Sequence, residues 1–150
     1  MTATPEPTVH ASAVLAGRHA VLIRGAAGSG KSRLALSLLD AARTGALGFA
    51  RLVGDDRVAL EPRHGRLLAR AAGTLAGLIE VRGLGIRRLD HEPVAVVGLV
   101  VDLAASDASR LPEPGQSEIE ISGIRLPRLA IPAGEDPLPA VLAQLATEPV

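Results

Sequence analysis

The chain has 150 residues, with 16 lysines and arginines balanced by 16 acidic residues, and it has no cysteine. That length suits one compact domain, and zero net charge argues against the broad basic field of a nucleic-acid binder. Without cysteine there is no disulfide framework, thiol nucleophile or thiolate metal site, and Phe49, the single aromatic residue, provides no platform for stacking bases.

Met1 to Pro7 is polar and proline-containing, unlike a secretory leader with its charged start and apolar centre. Val14-Leu15 predicts an opening strand, Ala16-Gly17-Arg18-His19 a turn, and Ala20-Val21-Leu22-Ile23 a second strand ending before Gly25. Behind the glycines, Leu34, Ala35, Leu38, Leu39 and Ala42 recur on one helical face. Arg43 suits the last turn of that helix and Gly45 its left-handed close. Leu52-Val53 is a short strand leading into Gly54-Asp55-Asp56. Val58 and Leu60 begin another, Pro62-Arg63-His64-Gly65 turns, and Arg66-Leu67-Leu68 returns. Leu78 to Ile86 combines buried-strand character with a sharply bending end.

Val94 to Val101 is the longest apolar run, far short of the roughly 20 residues of a membrane-spanning helix. Its valines, bracketed by Pro93 and Asp102, favour a central strand, with Val94 to Leu103 as its span. Ser106 to Gly115 is a polar, proline-rich loop. Ile119, Ile121, Ile124 and Leu126 alternate around a Ser122-Gly123 turn. Asp136 caps a final helix begun by Pro137, with Leu138, Val141, Leu142 and Leu145 on its buried face. No repeat or second domain is evident, and the fold class is a sheet-centred α/β domain with few helices.

Gly25-Ala26-Ala27-Gly28-Ser29-Gly30-Lys31-Ser32 has the glycines, lysine and hydroxyl of the eight-residue phosphate loop. Its place between a strand and a helix lets backbone N–H groups and the helix N-terminus converge on phosphate oxygens. Lys31, the only lysine in the chain, neutralises phosphate charge, and Ser32 helps to hold magnesium. An ordinary glycine-rich turn is the competing reading, and the Gly-Lys-Ser ending weighs against it.

Asp55 and Asp56 follow a short strand, where carboxylates meet metal and nucleotide in α/β sites. Neighbours on an extended chain point opposite ways, so both serve only if the backbone bends at Gly54. Asp55 is assigned proton transfer at an incoming hydroxyl and Asp56 a metal or water contact, against the alternative of a polar turn. Glu80 is a second candidate magnesium ligand, or an exposed strand residue. Arg82 stabilises phosphoryl charge or pairs with a carboxylate. Arg87 and Arg88 suit phosphate or protein contacts as well as plain solvation. His10 is a candidate neighbour of the site, or a free N-terminal histidine. No His-x-x-x-His spacing or dense histidine–carboxylate cluster supports zinc.

The segments Thr8-Val9-His10, the phosphate loop, Leu52-Val53-Gly54-Asp55-Asp56-Arg57-Val58 and Ile79-Glu80-Val81-Arg82-Gly83-Leu84-Gly85-Ile86 occur in the order seen in the HPr kinase/phosphorylase family, whose catalytic domain this chain resembles. The last segment is far more specific than the phosphate loop alone. The resemblance implies an ATP- and magnesium-dependent serine kinase acting on the phosphocarrier HPr, with phosphorolytic dephosphorylation as a second activity of family members. It carries His10 into the active-site neighbourhood, Lys31 and the loop onto nucleotide phosphates, and Ser32 and Glu80 onto magnesium. Asp55 takes an acid/base role and Asp56 a supporting one, and Arg82 lies within the second signature. It also implies a homo-oligomer, commonly a hexamer, while the lack of cysteine together with the nucleotide motif predicts a cytoplasmic location.

Three departures stand out. Residues 1–150 show no counterpart of the N-terminal domain of long members, so the expectation is a single catalytic domain of short form. Arg33 replaces the acidic residue after the loop serine, and Gly54 replaces an alanine. Arg87-Arg88-Leu89 diverges where long members continue into an apolar segment and a glycine-rich loop, so kinase chemistry is better represented than phosphorylase. A small-molecule kinase, an ATPase or a non-catalytic nucleotide-dependent regulator are the alternatives that the phosphate loop alone leaves open.

Overall fold

A computed structural model of the chain describes residues 8–148. A short β1 (Thr8–Val9) passes through His10 into β2 (Ala11–Ala16), which turns into β3 (His19–Arg24). Ala16 and His19, predicted within the turn, instead pair with each other as the last rung of the β2–β3 ladder. The phosphate-loop motif follows, and α1 (Lys31–Arg43) starts at its lysine. β4 (Ala50–Gly54) and β5 (Val58–Arg63) flank the acidic pair, and β6 (Arg66–Ala71) returns through His64-Gly65, both at positive φ. Positive φ at both central residues suits a tight two-residue hairpin. Then come β7 (Leu78–Val81), β8 (Gly85–Arg88), β9 (Ala95–Leu103), β10 (Glu118–Ile121), β11 (Ile124–Ile131) and α2 (Leu138–Ala146).

Nine strands form one mixed sheet in the order β1-β5-β6-β9-β3-β2-β4, with β11 on β9 and β10 on β11. β3 runs parallel along one side of β9, while β6 pairs with the beginning of the other side and β11 with its end. The apolar run predicted as a central strand is therefore β9, covered on both faces as such runs require. Asp102 falls within that strand, in keeping with the predicted span Val94 to Leu103. It lies inside β9 in register with Arg24, where arginines neutralise its charge.

Alternate residues of β3 feed two cores. Val21 and Ile23 join Leu34, Ala35 and Leu38 of α1 on one face. Ala20 and Leu22 face a second core with Val58, Leu67, Ala69 and Leu126, so the sheet's own outer strands cover the face that α1 does not. Leu34, Ala35 and Leu38 are buried as predicted, but Ala41 and not Ala42 completes the buried stripe, being three residues on from Leu38. Gly45, at φ 92°, follows the end of the helix. In α2 only Val141 is fully buried, and Leu145, predicted on the inner face, is exposed because the helix docks by its first turns. Asp136 accepts the Leu138 N–H at 3.1 Å, but it is not the N-cap: the helix starts one residue later than predicted, at Leu138, with Pro137 in the N-cap position.

Two chain segments, β1–β2 and β4–β5, cross the sheet together as one ribbon. β1 pairs with β5 and β2 with β4, although β1–β5 and β2–β4 stand at opposite ends of the strand order. Joining both ends through one ribbon curls the sheet. The ribbon bends at His10 on one strand and at Asp55-Asp56-Arg57 on the other, with Asp56 at φ 65°. Gly54 permits the close approach there: a Cβ would lie 2.8 Å from Val58 Cγ1 and 3.2 Å from the Ala71 Cα.

The segment Leu78 to Ile86 departs from its predicted character. It forms a separate two-stranded hairpin of β7 and β8, in which Ile79 is buried while Leu84 and Ile86 are 66% and 64% exposed. Apolar alternation marked the strand but could not show that no sheet neighbour covers it.

Candidate functional site

The phosphate loop leaves β3 at its C-terminal end and delivers α1 with an uncapped N-terminus. Gly30 is the N-cap residue at φ 101°, no side chain caps the helix, and its first turn holds no acidic residue. Its first N–H groups thus have no intrahelical partner and no acidic residue within the turn itself, the setting in which phosphate binds. Arg33 places a basic side chain in that first turn, and the carboxylate that meets the turn, through Ser32, is Asp55. Gly25 is required inside the loop, since a Cβ there would collide with the Ser29 hydroxyl. Lys31 is buried, and its Nζ donates to the carbonyls of Gly25 at 2.9 Å and Ala26 at 3.2 Å. An ammonium has three donors, so one remains for phosphate.

Asp55 is the hub beside the loop and is 6% exposed. Its Oδ1 accepts the Ser32 hydroxyl at 2.7 Å and the Ser12 hydroxyl at 2.7 Å, and its Oδ2 accepts the Glu80 backbone N–H at 3.2 Å. The bend of the ribbon supplies this geometry: Arg57 N–H closes onto the Asp55 carbonyl at 2.7 Å and Asp56 adopts positive φ. The chain thereby turns Asp55 inward and leaves Asp56 exposed. Ser32 Oγ and Asp55 Oδ1 are hard oxygens side by side. Among the described residues no cluster of three or more His, Cys, Asp or Glu could hold a metal alone. Two protein oxygens fit magnesium, which takes one or two carboxylates and completes its shell with phosphates and water.

The structure thus brings together Lys31, Ser32 and Asp55 of the expected residues. Glu80 reaches the cluster through its backbone, while its side chain belongs to an exposed residue of β7. Arg82 is exposed in the β7–β8 turn. His10 is exposed in the ribbon bend, its Nε2 3.4 Å from the Arg57 guanidinium. Sequence reading missed Ser12. The signal was a lone hydroxyl in the run Ala11-Ser12-Ala13, where a strand core has no use for one.

A second acidic centre adjoins the loop. Arg24, just before Gly25, grips Asp102 with two hydrogen bonds of 2.7 and 2.8 Å. Arg128 of β11 adds a third at 2.6 Å and spans to Asp107 at 2.8 and 2.9 Å. Burial alone would raise the Asp102 pKa, but the hydrogen bonds and charges of Arg24 and Arg128 outweigh it and hold it below the usual carboxylate range. The exposed Asp107 is lowered by its hydrogen bond to Arg128, and Arg128 is raised above the ordinary arginine value, by Asp107 first. Asp102 ends up neutralised by arginines and committed to joining β3, β9 and β11. An open depression of about 650 Å³ lined by Arg51, Arg88, Leu89, Asp90 and His91 contains no residue of either centre.

A family model described as the HPr serine kinase C-terminal domain matches residues 2–146. An HPr kinase/phosphorylase of Halalkalibacterium halodurans is 32% identical over 153 residues, covering 95% of this chain and 47% of the relative. Another from Clostridium beijerinckii is 38% identical over 82 residues, covering 55% of this chain and 25% of the relative. The chain therefore spans between a quarter and a half of the length of these curated relatives. The Hpr(Ser) kinase/phosphatase structure from Coxiella burnetii superposes with a TM-score of 0.74 at 24% identity, covering 94% of this chain and 89% of that one, which shows a shared fold. No helix among the described residues is long and apolar enough to cross a membrane. With the family match running through nearly the whole chain, it belongs to the HPr serine kinase C-terminal domain family.

Proposed function

We propose that this chain is a single catalytic unit that transfers the terminal phosphoryl group of ATP, with magnesium, to a serine hydroxyl of an HPr-like phosphocarrier protein in the cytoplasm. The observation that carries this reading is the meeting of Ser32 and Asp55, 2.7 Å apart, at the uncapped start of α1 beside Lys31. Phosphoryl transfer asks little covalent chemistry of the protein and depends on positioning and charge stabilisation, which these groups supply. Magnesium, when bound, would neutralise charge on the phosphates, with Ser32 and Asp55 as its protein ligands.

In the proposed reaction the loop amides and Lys31 hold the phosphate chain. The acceptor oxygen forms a bond to the terminal phosphorus as the bridging P–O bond breaks and ADP departs. The acceptor's proton passes to Asp55 Oδ2, the oxygen that no serine occupies. Asp56, Glu80, Arg82 and His10, exposed around this centre, are assigned to its outer ring toward the protein acceptor. The names of the relatives support HPr as that acceptor and also support phosphorolysis, the return reaction with inorganic phosphate.

The test is incubation with ATP, magnesium and HPr, followed by mass spectrometry of HPr. One phosphoserine per HPr is expected. ATP consumed with HPr unmodified would reject the protein-kinase assignment, and ATP bound without turnover would leave a nucleotide-dependent regulator.

A further inference from the structure

Ser12 is fully buried in β2 between Ala11 and Ala13, which are equally buried. A hydroxyl in such a place is unfavourable unless its hydrogen bonds are made. Ser12 makes two, and both end on the ribbon bend: it donates to Asp55 Oδ1 at 2.7 Å and accepts the Asp56 N–H at 3.2 Å. One oxygen atom thus holds the carboxylate's orientation and the positive-φ residue that follows it. Plain packing would be met by a third alanine in the same run.

The two serines on Asp55 Oδ1 differ in what else they can do. Ser32 opens α1 and, on the reading above, leaves the carboxylate to serve magnesium. Ser12 lies inside the sheet, with no accessible surface of its own, and no ligand can recruit it. We infer that Ser12 is a positioning residue that keeps Asp55 turned toward the metal side of the phosphate loop once Ser32 has moved its bond to the cation. With Glu80 N–H fixing Oδ2, Ser12 makes the metal-holding geometry a property of the curled sheet and not of the bound nucleotide. The inference rests on the proposed kinase reading for its rate consequence, but its metal consequence does not require that HPr be the acceptor.

The experiment compares Ser12→Ala and Ser12→Cys with the unaltered chain. Cysteine nearly preserves volume but is a weak donor, so it separates hydrogen bonding from packing. Titration of a fluorescent ATP analogue is read first in EDTA and then against rising magnesium. In EDTA both variants should bind within about twofold of the parent. The magnesium concentration for half-maximal effect should rise about 10-fold in both, the loss typical when an outer partner of a metal ligand is removed. Phosphotransfer kcat should fall by about 10- to 100-fold, with KM for ATP at saturating magnesium little changed.

A purely structural Ser12 would lower the melting temperature and leave the magnesium midpoint where it was. That result, or a cysteine variant indistinguishable from the parent, overturns the inference. If the parent phosphorylates no HPr, the kinase reading fails while the magnesium titration still decides the role of Ser12. Should Ser12→Ala not fold, Ser12→Cys carries the same measurement.

Discussion

Asp55 and Asp102 are both acidic side chains drawn largely out of water beside the phosphate loop, one following β4 and the other inside β9. Asp102 is met by two guanidiniums, and through Arg128 it is coupled to Asp107. Asp55 is met by two hydroxyls and one amide, with no cation within ion-pairing distance among the described residues. A guanidinium bound by two parallel bonds is hard to displace, so Asp102 is a fastening between strands. Hydroxyl donors are weaker than a guanidinium, so Asp55 is the acid that the proposed metal can engage. Proximity to a phosphate loop therefore does not define a functional acid, whereas the chemistry of its partners does.

The sharpest way to break that comparison is to neutralise each acid in turn. Asp55→Asn should lower the initial rate of phosphotransfer by about a thousand-fold, within the range for a lost proton acceptor, while nucleotide binding in EDTA and the melting temperature change little. Lys31→Met should cost about a hundred-fold or more in rate, as for loss of a preorganised charge contact, and should also weaken nucleotide binding. Asp102→Asn should do the reverse. It leaves Arg24 without its carboxylate and Arg128 with Asp107 alone, and lowers unfolding free energy by about 3 kcal/mol, read as urea unfolding, with the rate of the surviving folded protein close to the parent's. A rate loss at Asp102 equal to that at Asp55 would erase the distinction drawn here.

A smaller effect tests the bend that turns Asp55 inward. Gly54→Ala places a methyl group against Val58 and the backbone of Ala71, and overpacking of this kind costs about 1–3 kcal/mol. A melting temperature at or above the parent's would mean that β4 and β6 have room to separate.

The smallest effect is in acid. The Asp102 carboxylate has a lower pKa folded than unfolded, so the unfolded chain binds more protons between the two values. The corresponding stability is complete above the unfolded carboxylate value of about 4 and is lost as pH falls through the lowered folded value. Unfolding free energy from urea titrations at pH 5 and pH 3 should show the drop, and Arg128→Leu should flatten it. An equal drop in parent and variant would remove Arg128 from the account.

Much of the scaffold was readable in the chain. The two strands before the loop, the buried face of α1 up to Leu38, the long valine strand and the Ser122-Gly123 turn all follow from spacing that neighbours along the chain reveal. Misreadings fell where burial depended on distant elements. Leu145 and Ile86 have apolar side chains in periodic runs, but among the described residues both are exposed. The ion pairs of Asp102 were not legible either, because its neutralising partners lie 78 and 26 residues away. Ser12 carried no motif at all, since its meaning depends on Asp55, 43 positions further on.

What the sequence by itself determined was the phosphate loop, the helix that opens from it and the apolar strands that carry both, because those depend on contiguous residues and short periods. Only the tertiary structure decided which acid faces Ser32, which acid is fastened by arginines, and that a buried serine holds the first in place. Those outcomes arise from the curl of the sheet, which a ribbon crossing between its two ends imposes. Carboxylate orientation is settled by donors brought together through that crossing, and no local pattern encodes them.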